Sequence, residues 1–189
     1  MIHHRIQFGR NGYTLLEAMV FVSIMAIAAT LLVPHLTDRG DTELQAAARQ
    51  LVSDISWAQS DAVASQEYRR LHFYDDGRGW CLLRVTDATF ENAFDPATAE
   101  FASDPWRTRR GGGDFIVDFG IDDRFLEVQV ADVEMADGSR ALTFDRMGGS
   151  VMAPGLGAGA GSVTLSDGTD SWRVEVAPVT GRVLVSRVP

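Results

Sequence analysis

The stretch Arg10–Pro34, RNGYTLLEAMVFVSIMAIAATLLVP, decides how this chain is read. From Tyr13 to Val33 it holds 21 residues, and Glu17 is the only charged one. As a helix rising about 1.5 Å per residue, the run would extend roughly 32 Å, against a hydrocarbon core of about 30 Å. A carboxylate deep in hydrocarbon costs about 2.5–3.5 kcal/mol on insertion scales, which makes Glu17 a functional candidate by position. Residues 1–12 carry Arg5 and Arg10 and no acid. Arginines on the short leading side predict that this end stays cytoplasmic and the bulk of the chain lies outside.

Three membrane readings fit the run. A secretory signal peptide would use Ala26-Ile27-Ala28 as its small-x-small cleavage site and release a soluble β domain. An uncleaved signal anchor is the second. Both leave the charge at Glu17 unexplained. The third accounts for the glutamate and for the glycine before the run: Gly12-Tyr13-Thr14-Leu15-Leu16-Glu17 resembles the cleavage and methylation motif of type IV prepilins and pseudopilins. The resemblance implies that a membrane prepilin peptidase cuts between Gly12 and Tyr13, that Tyr13 becomes the N-methylated terminus, and that the apolar segment persists as a filament-core helix. Thr14, Leu15 and Leu16 match the motif and Glu17 falls on its glutamate, while Tyr13 stands where the family usually has phenylalanine. Pro34 lies 21 residues after Tyr13, where many type IV pilins also carry a proline.

On this reading the carboxylate has a physical role. Cutting creates a cationic amine four residues before Glu17, and the resemblance implies that the glutamate pairs with the amine of a neighbouring subunit during assembly. A carboxylate unpaired at that depth is costly, and one facing a cation is largely compensated. A carboxylate in the first turn of a helix is also stabilised by the helix dipole, and the two roles are compatible.

Composition bounds the rest. The 189 residues suffice for one ordinary domain plus an appendage, and 46% apolar with 23% charged residues is globular rather than disordered. A net charge of −9 argues against generic polyanion binding. The single cysteine, Cys81, excludes an internal disulfide and any cysteine-rich zinc site, and no metal or cofactor is expected.

Beyond Pro34 the pattern predicts an α+β fold: a long amino-terminal helix, membrane-spanning in its first half and amphipathic in its second, packed on a mostly antiparallel β head. The segments are a leader (1–12), a membrane and filament-core helix (13–34), an amphipathic helix (35–67) and a head (68–189) with a long loop at 86–113. A helix should bend or break between Pro34 and Gly40. Thr42 with Gln45 has the spacing of a capping box. Leu44, Ala48, Leu51, Ile55, Ala58 and Ala62 then recur at helical spacing, with Glu43, Arg49, Gln50, Asp54 and Asp61 opposite. Strands are expected over 70–74, 80–85, 114–119, 125–130, 141–144, 162–166, 171–176 and 182–187, several joined by Asp-Gly turns. The glycine-rich stretch 154–161 lacks the lysine of a phosphate loop and reads as a connection. A long helix, a hairpin, a variable middle and carboxy-terminal strands together resemble the GspH/FimT group of minor pseudopilins. Leu142-Thr143-Phe144 before a glycine turn and Gly181-Arg182-Val183 in the last hairpin add to that resemblance.

No catalytic constellation emerges. Outside the leader only His35 and His72 could serve a serine triad, and the pairs Asp75-Asp76 and Asp122-Asp123 sit in turn sequence. Some FimT-like proteins bind DNA in natural transformation through a Gly-Arg-x-Arg motif. Here Leu184 stands where the second arginine would be, leaving Arg182 and an alternative patch at Trp106-Arg107-Thr108-Arg109-Arg110. Losing the leader leaves 15 arginines against 26 acids, a net −11 that opposes DNA. The expected role is structural: a minor pseudopilin in the bacterial inner membrane, its head periplasmic, that initiates or caps a type II secretion pseudopilus or type IV pilus. Its partners would be prepilin peptidase, major and minor pseudopilins, and an exported substrate. The alternatives are a FimT-like DNA receptor and the secreted β domain.

Overall fold

The apolar stripe that starts at Leu44 lies on one helix, and Leu44, Ala48, Leu51, Ile55, Ala58 and Ala62 are all buried along it. The computed structural model describes residues 14–37, 39–105, 113–157 and 159–188, with the side chains of 30–41 outside that description. Two helices come first, α1 (Leu15–Thr37) and α2 (Arg39–Ser65). The chain divides into one compact unit up to Arg39 and another, Gly40–Pro189, in which α2 joins the strands.

α1 runs through Pro34 and ends at Thr37, and α2 begins at Arg39. Its described side chains stop at Ala29. Among the described residues no helix is long and apolar enough to cross a membrane, and the run to Val33 extends beyond them. α2 starts at Arg39, so Thr42 lies inside the helix rather than capping it.

Among the described residues ten strands follow in chain order: β1 (Tyr68–Phe73), β2 (Gly79–Val85), β3 (Ile116–Asp118), β4 (Gln129–Met135), β5 (Ala141–Phe144), β6 (Ser150–Ala153), β7 (Leu156–Gly157), β8 (Gly161–Ser166), β9 (Ser171–Val176) and β10 (Val183–Val188). They form a six-stranded sheet, β3-β2-β1-β5-β6-β7, and a four-stranded sheet, β10-β9-β8-β4, with every neighbouring pair antiparallel. Strand alternation sorts the side chains. Leu71 and Phe73 of β1, Trp80 and Leu82 of β2, and Leu142 and Phe144 of β5 join Val163, Leu165, Val174 and Val176 of the second sheet around the α2 stripe. The opposite face of the first sheet has its own small core of Tyr68, Cys81, Leu83, Val85 and Val151, roofed by Phe90 from the long insertion.

Three expectations change. Phe125–Val128 is not strand: two turns, Phe125 N–H to Asp122 O at 3.0 Å and Val128 N–H to Phe125 O at 3.1 Å, bury both apolar ends before β4 begins. The glycine-rich stretch 154–161 contributes the short β7. Of the long loop, residues 100–104 run beside β2 and β3, with Arg84 N–H to Glu100 O at 2.8 Å and Phe115 N–H to Ala102 O at 2.8 Å. Those bonds extend the sheet past the end of β3.

Candidate functional site

At the start of α1, Thr14 is the cap. Its Oγ1 accepts from the Glu17 N–H at 3.2 Å, and its carbonyl accepts from the Ala18 N–H at 3.1 Å. Threonine at the cap with glutamate three residues on is the capping-box spacing, so Glu17 stands in the first turn where a carboxylate suits the helix dipole. Leu15 and Leu16 are 79% and 72% exposed, and Met19, Val20, Phe21, Val22, Ile24, Met25 and Ile27 are exposed as well. A helix apolar all round suits an apolar medium or neighbouring helices rather than water. Gly12 and Tyr13 lie outside the described residues, as do Arg107, Arg109 and Arg110.

In the head, the two short motifs shared with the GspH/FimT pattern converge on a residue the sequence reading missed. Gln59 of α2 donates through Nε2 to the Gly148 carbonyl at 2.6 Å and to the Thr180 carbonyl at 3.1 Å. One side chain thus holds the turn after Leu142-Thr143-Phe144 against the turn that precedes Arg182. Gly181 sits beside it at φ +64, where an added Cβ would meet Gln59 Nε2 at 2.8 Å and Phe144 Cε1 at 3.0 Å. The available signal was a lone polar residue four positions after Ile55, on the edge of an otherwise apolar stripe.

Arg182 itself is exposed at the start of β10, with Leu184 next along the strand also exposed, so among the described residues it has no second arginine beside it on that motif. His72 is half-buried on β1 and stacks on Phe94 with ring centroids 4.0 Å apart. Burial holds its imidazole below the ordinary histidine range, with Arg70 and Arg140 adding to the effect and Asp75 opposing it. The paired aspartates serve turns and ion pairs: Asp75 faces Arg140 at 3.3 Å, and Asp122 faces Arg124 at 2.6 Å. Among the described residues no group of three or more His, Cys, Asp or Glu is placed to hold a metal ion. Burial also pushes the Cys81 thiol up to about 11, which suppresses the thiolate needed for nucleophilic chemistry.

Among the described residues the one strongly perturbed carboxyl is Asp54. Expected on the solvent face of α2, it is 2% exposed and accepts from Trp80 Nε1 at 2.9 Å and from Gln50 Nε2 at 2.8 Å. Burial raises its pKa to about 7 against the pull of those two hydrogen bonds, and Asp104 adds to the rise. It pins the indole of the largest core side chain to α2, a positioning role with no catalytic partner beside it.

No curated protein sequence matches the chain. Two crystal structures of the type IV minor pilin FimU from Pseudomonas aeruginosa (strain PAO1) are similar to it. One is 15% identical with a TM-score of 0.42, covering 75% of this chain and 91% of that one. The other is 17% identical with a TM-score of 0.45, covering 77% and 90%. The model of the family described as "Type II transport protein GspH" matches residues 47–180. That match runs from within α2 to the turn before β10, well over half of the sequence, and the chain therefore belongs to the GspH family of minor pseudopilins.

Proposed function

We propose that this chain is processed between Gly12 and Tyr13 by a prepilin peptidase, N-methylated on Tyr13, and assembled as a minor subunit that initiates or caps a type II secretion pseudopilus or a type IV pilus. The observation that carries the reading is the start of α1: a capped helix with Glu17 in its first turn, opening onto exposed apolar side chains from Leu15 to Ile27, in a member of this family. Cleavage would put a cationic amine one helical turn from Glu17. A neighbouring helix then compensates each charge only when the two lie in register, because an uncompensated carboxylate in an apolar medium is penalised. The apolar surface supplies contact area and the glutamate supplies alignment.

The head is read as the part that meets other pseudopilins and exported cargo on the periplasmic side of the inner membrane. A DNA-receptor role would rest, among the described residues, on Arg182 with Leu184 in place of its partner arginine, and the assembly reading is preferred.

The test is the intact mass and amino-terminal sequence of membrane-extracted protein, from cells with and without an active prepilin peptidase. The expected product begins with methylated Tyr13 and is lost when the peptidase is inactive. A terminus at Ala29 would instead identify a signal peptide and end the filament reading.

A further inference from the structure

A sheet exposes two edges, and an edge strand left bare is a template for another chain unless it is shortened, bulged or covered. Three of the four edges here are blunted. β3 has three residues and β7 two. β4 is longer but carries a bulge between Val130 and Asp132, and the Val130 N–H is tied to Gly77 O at 2.8 Å. β10 is different: six residues, paired with β9 in unbroken register from Val183↔Val176 to Val188↔Ser171, with no strand on its other side among the described residues. Leu184 and Val185 are 49% and 42% exposed on it.

Beside this edge lies a groove of about 320 Å³ lined by Gln45, Ala48, Arg49 and Val52 of α2 with Trp172 and Val185. The Trp172 indole N–H is buried and meets no acceptor among the described residues. Charge indicates what would fill it. Of the arginines with described side chains, Arg49, Arg70, Arg173 and Arg182 enter no ion pair with a described residue. Three of those four flank β10 or its groove, in a chain with nine more acids than bases. β10 has no acid of its own, and nearby Asp170 is held by Arg187 at 2.7 Å, leaving Glu175 as the remaining carboxylate on β9. A second copy of β10 is a poor occupant, because antiparallel self-pairing would crowd Arg182 and Arg187 of both copies into one short ladder.

We propose that β10 is a docking edge for an extended, acid-bearing segment of another subunit. The segment would add a fifth strand to the four-stranded sheet, lay an apolar side chain into the groove, and set its carboxylates against Arg49, Arg173 and Arg182. Main-chain bonds supply affinity in this mode, and alternate side chains supply specificity. Only the identity of the donor as a filament subunit rests on the minor-pseudopilin reading; the chemistry of the edge does not.

The test uses the full chain in detergent and a fluorescein-labelled peptide of alternating glutamate and valine, followed by fluorescence anisotropy. Saturable binding is expected, weakening as salt screens the charges. A peptide of the same sequence, N-methylated on the residues that face β10, should lose binding because its ladder donors are gone. A lysine-for-glutamate peptide should bind at least about tenfold more weakly, as should the glutamate peptide to Arg173→Glu/Arg182→Glu protein with an unchanged thermal melt. The proposal is overturned if neither peptide saturates, if the N-methylated peptide binds as well as the parent, or if charge reversal of the peptide changes nothing. It is overturned in favour of nucleic acid if duplex DNA binds through these arginines while the acidic peptide does not. An amino terminus elsewhere than Tyr13 would remove the filament subunit as donor and leave the peptide result standing.

Discussion

α1 and α2 follow one another in the chain and are both long, at 23 and 27 residues, yet they treat apolar side chains in opposite ways. In α2 the apolar residues keep to one stripe, and each of its six expected members is buried by the two sheets. In α1 the apolar residues cover every side, and Leu15 through Ile27 stand exposed. A stripe can be satisfied inside one domain because a sheet covers one face of a helix. A full apolar coat cannot, and it needs a surrounding medium or several neighbours. The head is thus stabilised from within, while α1 exposes the kind of side chain that α2 buries.

The sharpest way to break that contrast is to truncate one large apolar residue on each helix. Leu51 is wholly buried, so Leu51→Ala should cost about 2–5 kcal/mol in urea unfolding of the head. Phe21→Ala should leave the same transition within about 0.5 kcal/mol, because its ring is 64% exposed. Comparable losses from both would show that α1 is part of the head's core and that the contrast is false.

A smaller effect separates the two helices by pH. Asp54 on α2 titrates at about 7 in the folded head against an ordinary 3.8. The folded state binds this proton more tightly, so the contribution to stability is complete below pH 3.8 and is lost as pH rises to about 7. At about 1.36 kcal/mol per unit, the loss is on the order of 2–4 kcal/mol. Asp54→Asn, which still offers an oxygen to Trp80, should flatten the pH dependence between 4 and 7 and raise stability at pH 8. Urea midpoints across that range decide it, and a slope unchanged in the variant would move the titration elsewhere.

Asp54 also shows where reading the sequence stops. The stripe of α2, the first and last hairpins and β5 were legible because their periodicities are long and regular. Asp54 was placed on the wet face by its charge, and Gln59 drew no attention, because both lie on the flank of the stripe, where a helical wheel cannot say what rises opposite. Their partners, Trp80 for one and the 148 and 180 turns for the other, are separated from them by 26 to 121 positions. Only the pairing of the sheets brings them together. The same holds for Phe125–Val128, whose apolar pattern fits a strand until the Asp122 turn claims it. At the amino terminus the processing motif is an expectation of the sequence, and the geometry adds that Thr14 caps the helix.

Gly181→Ala probes the Gln59 junction. Forcing an alanine to φ +64 costs about 1–2 kcal/mol by itself, and its Cβ would press on Gln59 and Phe144. A loss of about 1–3 kcal/mol is expected in the same urea transition. Gln59→Ala should relieve part of that crowding while stranding two carbonyls, so the double variant should lose less than the sum of the singles. Strict additivity would mean that the two turns are held independently of α2.

The smallest expected effect lies at the other end of the contrast. Thr14→Ala removes the oxygen that accepts the Glu17 N–H, a cap worth about 0.5–2 kcal/mol, but the loss should stay in the first turn of α1 because the bond it removes is local to that turn. The head's unfolding midpoint should not move, while hydrogen exchange at the Glu17 amide in detergent should quicken. Thr14→Ser should restore the slow rate, since serine offers the same oxygen. On the proposed assembly reading, a fraying first turn would also let the Glu17 carboxylate wander from the position where it would meet a neighbouring amine. Thr14→Ala should therefore lower incorporation into filaments without lowering the amount of folded protein. If exchange is unchanged and incorporation still falls, threonine is being read directly by the processing or assembly machinery, and the cap is incidental.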